Sequence, residues 1–393
     1  MSSSNRVRLA VIPETVYGET PAVGDFQEAR FISESLSGTP ETTESQQIRS
    51  DRLSSGQVVT GLTVGGAINF ELAKEAMIDS FIESAMFNTW QTSLAVNQDM
   101  VIDTLAKTIE RATGDWVTDV AVGDIITLSG FLNTENNTQV MVLELVDTVT
   151  IRYVGKGLVD ELGAGTSFKK ADKIDIGTTK KSFSIEKVFQ DLSNKAIIYK
   201  GEVVSEMSMN IAYGEIVNGA FTFAGNYAQP VDNALDFITN GRTVTPAETS
   251  NSLNGSVDMP FIVTQDGAVL DEATFCIQSI ELTLNNNLRA QTCIGSAAPK
   301  NQTEGAAQIE ISMSAYLADA NWDMLTKKLS QEPISIGFMV KNLDGYYGFY
   351  LPAIQLSFED PASGGQNQDV ILSMSGTAKV GSNQEKSLTM YKS

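Results

Sequence analysis

Along much of the chain, apolar and polar side chains alternate one for one. Between Gln278 and Asn285, Ile280, Leu282 and Leu284 fall on one side, and Ser279, Glu281, Thr283 and Asn285 on the other. Ile309, Ile311 and Met313 oppose Gln308, Glu310, Ser312 and Ser314 in the same way. Ile354, Leu356 and Phe358 oppose Gln355, Ser357 and Glu359, while Ile68, Phe70 and Leu72 oppose Asn69 and Glu71. A strand sends successive side chains to opposite faces, so this period predicts half-buried antiparallel strands with one wet face. The wet side is rich in Ser, Thr, Asn, Gln and Glu and poor in Lys and Arg.

Two segments change period. Lys74 to Phe87 places Met77, Ile78, Phe81, Ile82, Ala85 and Met86 on one helical stripe, and Asp319 to Leu329 places Trp322, Leu325 and Leu329 likewise. Both stripes are expected to face a core. The helices occupy the same place in a repeated order. The first copy runs strand (Ala29 to Leu36), long loop, strand (Gly66 to Leu72) and helix. Three strands follow later (Ser182 to Phe189, Ile197 to Ile211, Ile216 to Ala224). The second runs strand (Phe275 to Leu284), long loop, strand (Ala306 to Tyr316) and helix, then three strands (Ile334 to Val340, Tyr346 to Phe358, Val370 to Ala378). This order predicts a mainly β protein of two tandem β-sandwich or barrel modules, each with a flanking helix.

The first copy is interrupted. Val122 to Phe131, Gln139 to Leu145 and Thr148 to Val154 read as short strands joined by tight turns, a small inserted β-barrel or sandwich that leans on its host. The expected division is residues 1–113 with 177–245 for the first module, 114–176 for the insertion, and 246–393 for the second module. Ser37 to Gly61, rich in Ser, Thr, Gln and Gly, reads as a long loop. It is either a floppy surface segment or an arm that orders against a neighbouring subunit through Ile48, Leu53, Val58 and Val59.

Composition narrows the functions open to such a chain. Its 393 residues, 42% hydrophobic and 19% charged, suit more than one packed unit. No apolar run approaches the roughly 20 residues that span a bilayer, and Pro13 and Glu14 cut short the patch Leu9 to Ile12 that a signal peptide would have to extend. Folding in a cytoplasm is the expectation. Cys276 and Cys293 are too few for a disulfide scaffold and read as reduced thiols. The net charge of -21, from 27 basic and 48 acidic residues, opposes gripping nucleic acid, though not letting it pass. There is no histidine, which removes His-based triads, His-ligated metals and the commonest general base. Ser184 and Lys187 have the spacing of a serine acylase but sit in an alternating strand without partner motifs. Asp172 and Gly177 begin a calcium-loop spacing that fails at Ile174, Ile176 and Phe183. No cofactor, metal or catalytic residue is expected.

Several stretches carry a resemblance. Ile12 to Leu36 (IPETVYGETPAVGDFQEARFISESL), Lys181 to Asp191 (KSFSIEKVFQD), Tyr199 to Gly225 (YKGEVVSEMSMNIAYGEIVNGAFTFAG) and the inserted VGDIITLSGFLNTENN resemble the major tail tube proteins of long-tailed, siphovirus-type bacteriophages. The likeness covers roughly the first 225 residues; beyond them only the pattern of elements fits.

The resemblance implies a structural virion protein whose sheets join edge to edge around a ring. Rings stack through a long loop into the hollow tube that conducts DNA into the host. With two tail-tube-type modules per chain, three chains would close a pseudo-sixfold ring. The stacking loop would then use Ile48, Arg49, Arg52, Leu53, Val58 and Val59, and the lumen wall would carry Glu71, Glu206, Glu281 and Glu310. Implied partners are the chain itself, a tape-measure protein in the lumen, and terminator and distal tail proteins at the ends. DNA would pass without specific binding, no membrane is involved, and assembly takes place in the host cytoplasm. A β-rich phage fibre, capsid-decoration or receptor-binding module is the competing reading, with a carboxylate-based glycosidase behind it.

Overall fold

A computed structural model describes residues 2–393 except 194, 257–260, 266, 267, 271–274, 327, 328, 330, 331 and 382–385. Strands β1 (Val7–Pro13), β2 (Phe26–Ala29), β3 (Ser33–Glu34), β4 (Ser37–Glu44) and β5 (Gln57–Glu71) precede helix α1 (Ala76–Met86). Next come β6 (Ala95–Asn97), β7 (Met100–Asp103), β8 (Thr108–Arg111), the short helix α2 (Trp116–Asp119), β9 (Ile125–Ser129), β10 (Gln139–Leu145), β11 (Thr150–Val154), β12 (Glu161–Gly163) and β13 (Ser167–Lys170). They are followed by β14 (Asp172–Asp175), β15 (Ser182–Phe189), β16 (Lys195–Ala212), β17 (Asn218–Gly225), β18 (Tyr227–Val231) and β19 (Val244–Thr245). The rest comprises β20 (Phe261–Gln265), β21 (Ala268–Leu270), β22 (Ile277–Asn285), β23 (Arg289–Gln291), β24 (Asn301–Thr303), β25 (Gln308–Tyr316), helix α3 (Asp319–Thr326), β26 (Ile334–Lys341), β27 (Tyr346–Phe358), β28 (Ile371–Ala378) and β29 (Thr389–Lys392).

Seven strands make one continuous antiparallel sheet in the order β5, β17, β16, β22, β25, β28, β27. The same succession of pairings occurs twice along the chain. β3, β5, β17, β16 and β15 neighbour one another in that order, with α1 after β5. β22, β25, β28, β27 and β26 do so again, with α3 after β25. The two successions meet where β16 pairs β22, from Glu206 opposite Asn285 to Ala212 opposite Ser279. The long strands β16 and β27 each leave this sheet half-way. Their first halves pair with β15 and β18, and with β26 and β29, to make the opposing layer.

The apolar side of the seven-stranded sheet lies in a single core. Ile68, Phe70, Met207, Met209, Phe221, Phe223, Leu282, Leu284, Ile311, Met313, Leu356 and Met374 are all buried in it, together with the stripe of α1. Phe81 of α1 meets Phe183, Phe221 and Phe223 edge-on, the geometry that aromatic quadrupoles favour. The helix stops at Phe87, whose left-handed backbone (φ 51°) returns its N–H to the Glu83 carbonyl.

Three expectations need correction. Ser37 to Gly61 is a loop only over 45–56: β4 and the start of β5 pair from Ser37 opposite Gly65 to Glu44 opposite Gln57, making the stretch a long hairpin with that loop at its tip. Thr, Ser and Gln tolerate a two-sided wet ribbon, so the alternation that marks half-buried strands is absent there. The stripe on α3 is rotated. Met324 is buried and Leu325 half-buried, while Trp322 is 54% and Leu329 90% exposed. The physical cause is Asn321, which is buried because its side chain donates to the Tyr316 carbonyl and accepts from the Ala318 N–H. That anchor turns position 324 inward, and residues 327 and 328 of the expected helix lie outside the described residues. The insertion also starts earlier than 114. β6 to β13, from Ala95, build a separate eight-stranded sheet around Trp116, Phe168, Ile126 and Val142, so residue 114 falls inside it.

The inserted sheet docks on the layer of β26, β27 and β29. Ile125, Met141 and Val154 pack against Met339, Tyr346 and Tyr391, and the Tyr391 hydroxyl donates to Asp124. Gly123 (φ +88°) lies flat against the Tyr350 ring, where any Cβ would collide. Phe349 and Leu351 of β27 point the other way, into the main core. The insertion therefore sits on the opposite side of that core from the polar face of the seven-stranded sheet.

Candidate functional surfaces

All four glutamates assigned to a lumen fall on the polar face of the seven-stranded sheet. Residues directly opposite in a ladder share a face, and one row runs Glu71, Asn218, Asn210, Glu281, Ser312, Ser375, Ser357 across every strand. A neighbouring row runs Asn69, Ala220, Ser208, Thr283, Glu310, Thr377, Gln355. Glu206 lies in the next, between Thr222 and Asn285. Glu281 and Glu310 are exposed; Glu206 accepts from Asn285 Nδ2 at 2.8 Å, and Glu71 from Ser252 Oγ at 2.8 Å. No Lys or Arg occupies these rows. A depression of about 290 Å³ lies in the same face, lined by Asn210, Glu281, Ser312, Ser375 and Glu359 among others. The rows are polar and acidic and carry no cation that would hold a phosphate.

The proposed stacking residues lie on the hairpin. Ile48 is fully exposed at its tip, and Leu53, Val58 and Val59 are exposed as well. Arg49 chelates Asp51 with Nε and Nη2, and Arg52 adopts a left-handed backbone (φ 62°) that turns the tip. Val58 and Val59 belong to β5, opposite Thr43 and Thr42, so they line the stem and not the tip. Four apolar side chains offered to solvent on one projecting ribbon are unusual for a surface hairpin and suit a contact with another chain.

One buried feature escaped the sequence reading. Glu202 on β16 has no solvent exposure, and neither of its carboxyl oxygens has a hydrogen-bond partner. Burial, and then the nearby Glu14 charge, hold its carboxyl well above the usual carboxylate range. Glu14 is by contrast satisfied: it accepts from the N–H groups of Gly18 and Gly201 and from the hydroxyls of Ser182 and Ser184. Those bonds use Ser184 structurally. Lys187 lies on the other face of β15, paired with Glu34 at 2.5 Å, so the acylase-like spacing brings no nucleophile and base together. Among the described residues no cluster of three or more Cys, Asp and Glu could hold a metal ion, and no helix is long and apolar enough to cross a membrane. Cys276 and Cys293 are free and exposed.

A mainly β chain with an extended acidic, polar sheet face and a projecting hairpin that exposes apolar side chains has the features of a structural, self-associating protein. The family described as phage tail tube protein matches residues 4–378, and the chain belongs to that family. It is thus a structural component of a phage tail, of the kind that self-assembles into a tube. No curated protein matches the chain.

Proposed function

We propose that the chain forms the tube of a long-tailed, siphovirus-type phage as stacked rings of three subunits with pseudo-sixfold symmetry, and that it catalyses nothing. The observation that carries this reading is the joint between β16 and β22. There two strand successions of equal order are fused side by side into one sheet, as two neighbours in a ring would be. Each succession then serves as one tube module, at 1–94 with 171–245 and at 246–393, and the sheet of 95–170 decorates the outside. The polar face lines the lumen, first around a tape-measure protein and then around DNA during ejection, its carboxylates keeping phosphate from sticking. The hairpin bridges stacked rings. Terminator and distal tail proteins cap the ends, and assembly takes place in the host cytoplasm.

Electron microscopy of the purified protein, with symmetry determined by averaging, tests this reading. The expected result is hollow polymers with three chains per ring. Discrete trimers would favour a fibre or decoration protein instead, and six chains per ring would remove the two-module account.

A further inference from the structure

We infer that the ring closes through one particular ladder: the distal half of β27 in one subunit pairs antiparallel with β3 of the next, with Ser357 opposite Ser35 and Leu356 opposite Leu36. This rests on the ring reading above and names the contact that makes it.

The two strand successions can be laid on each other residue by residue. Ala67 opposes Thr222, which opposes Glu206; Glu310 opposes Thr377, which opposes Gln355. The interval from Ala67 to Glu310 also carries Ala76, the first residue of α1, to Asp319, the first of α3. The same scheme makes Ser33, opposite Asn69, the equivalent of Glu281, opposite Ser312. Ser35 and Leu36 therefore correspond to Thr283 and Leu284, and Leu356 and Ser357 to Met207 and Ser208. Inside the chain those counterparts already face each other: Ser208 opposes Thr283 and Met207 opposes Leu284. The first succession thus offers the second an edge that the second, in turn, has nobody to offer to except another copy.

The outer edge of β27 has main-chain groups to give, whereas those of Leu36, buried in the single chain, are held by partners within it. Lys379 N–H donates to the Ala353 carbonyl and Glu359 N–H to Ser373, which turns the odd positions of β27 toward β28. The N–H and C=O groups of Leu356 and Phe358 then point outward, and β26 reaches β27 only as far as Ile354. On β3, Ser35 N–H donates inward to Ala67, which turns Leu36 outward. Its carbonyl accepts from Tyr199 Oη at 2.9 Å and keeps a second lone pair, while its N–H is held at 3.0 Å by Glu34 Oε2. Pairing exchanges that carboxylate for the Leu356 carbonyl. Ile32, whose counterpart Ile280 is buried, is 58% exposed in the single chain. An outward edge such as that of β27 is a liability unless a partner covers it.

The test is a disulfide across the joint. In a Cys276→Ser, Cys293→Ser background, Ser35→Cys and Ser357→Cys are combined and oxidised after assembly. Antiparallel neighbours that are not hydrogen-bonded bring their Cβ atoms within disulfide reach. A covalent ladder ending at the ring size is expected on a non-reducing gel, absent from either single variant. The pair Ser208→Cys with Thr283→Cys should close within one chain and serves as the positive control. A second variant, Phe358→Pro, removes an outward N–H that β28 does not use, and should leave the chain folded by circular dichroism but abolish rings. Rings of the cysteine-free parent without the ladder, or rings that persist in Phe358→Pro, would overturn the joint and leave the proposed function standing. A parent that forms no rings at all would overturn both.

Discussion

At the scale of single residues, Glu202 shows how local backbone geometry changes the meaning of a polar position. By alternation it should lie opposite Val203 and reach water. Gly201 (φ +68°) breaks the ladder between β15 and β16, and the strand is covered on both faces where it passes between two layers, so Gly201, Glu202, Val203 and Val204 are all buried. A carboxyl held there above its ordinary range keeps a proton that the unfolded chain, with a carboxyl near 4.5, has released. The native state then binds more protons, and stability falls as pH rises from the unfolded value through the folded one. Glu202→Gln should flatten that fall. Its amide carries no charge to bury at any pH, so it should raise stability relative to the parent at about pH 8 and change little at about pH 4. Thermal melts of both proteins across this range check it; equal slopes would mean that Glu202 is not the titrating group.

At the scale of elements, the strands of the seven-stranded sheet and helix α1 were legible because their burial is one-sided, and one-sided burial writes a period into the sequence. Helix α3 was legible in position but not in rotation. The side chain that sets its orientation, Asn321, is polar and is drawn inward by the backbone groups it satisfies. The hairpin of β4 and β5 was illegible as structure because both its faces are wet. Replacing residues 45–56 with Asn-Gly joins Glu44 to Gln57 by the two-residue turn that suits an antiparallel pair. Because the removed tip is exposed, fold stability should stay within about 0.5 kcal/mol of the parent. Under the proposed role rings should still form but no longer stack, which sedimentation and electron microscopy distinguish; full-length tubes from this variant would take the stacking role away from the tip.

At the scale of the whole molecule, the halves are tied together by more than the sheet. Asp79 of α1 accepts from Tyr347 Oη and pairs with Lys74 and Lys392, joining the first helix to β27 and to the C-terminal strand in a mostly buried cluster. β14, just after the insertion, pairs with β29 at the chain's end. The halves are therefore tied to each other at several points besides the shared sheet. If the polar face lines a lumen, a cysteine placed at Glu281 in the Cys276→Ser, Cys293→Ser background should react freely with a bulky polyethylene-glycol maleimide in single subunits and hardly at all in tubes. Equal labelling in both states would put that face on the outside. What the sequence determined by itself was local and periodic: which residues are strands, which side of each is wet, and the absence of histidine chemistry. Which strands neighbour one another, that one sheet runs through both halves, and that four glutamates spread from Glu71 to Glu310 share one face were decided only by the tertiary structure. Ladder pairing joins residues far apart in the chain, and alternation specifies a strand's two faces without specifying its neighbour.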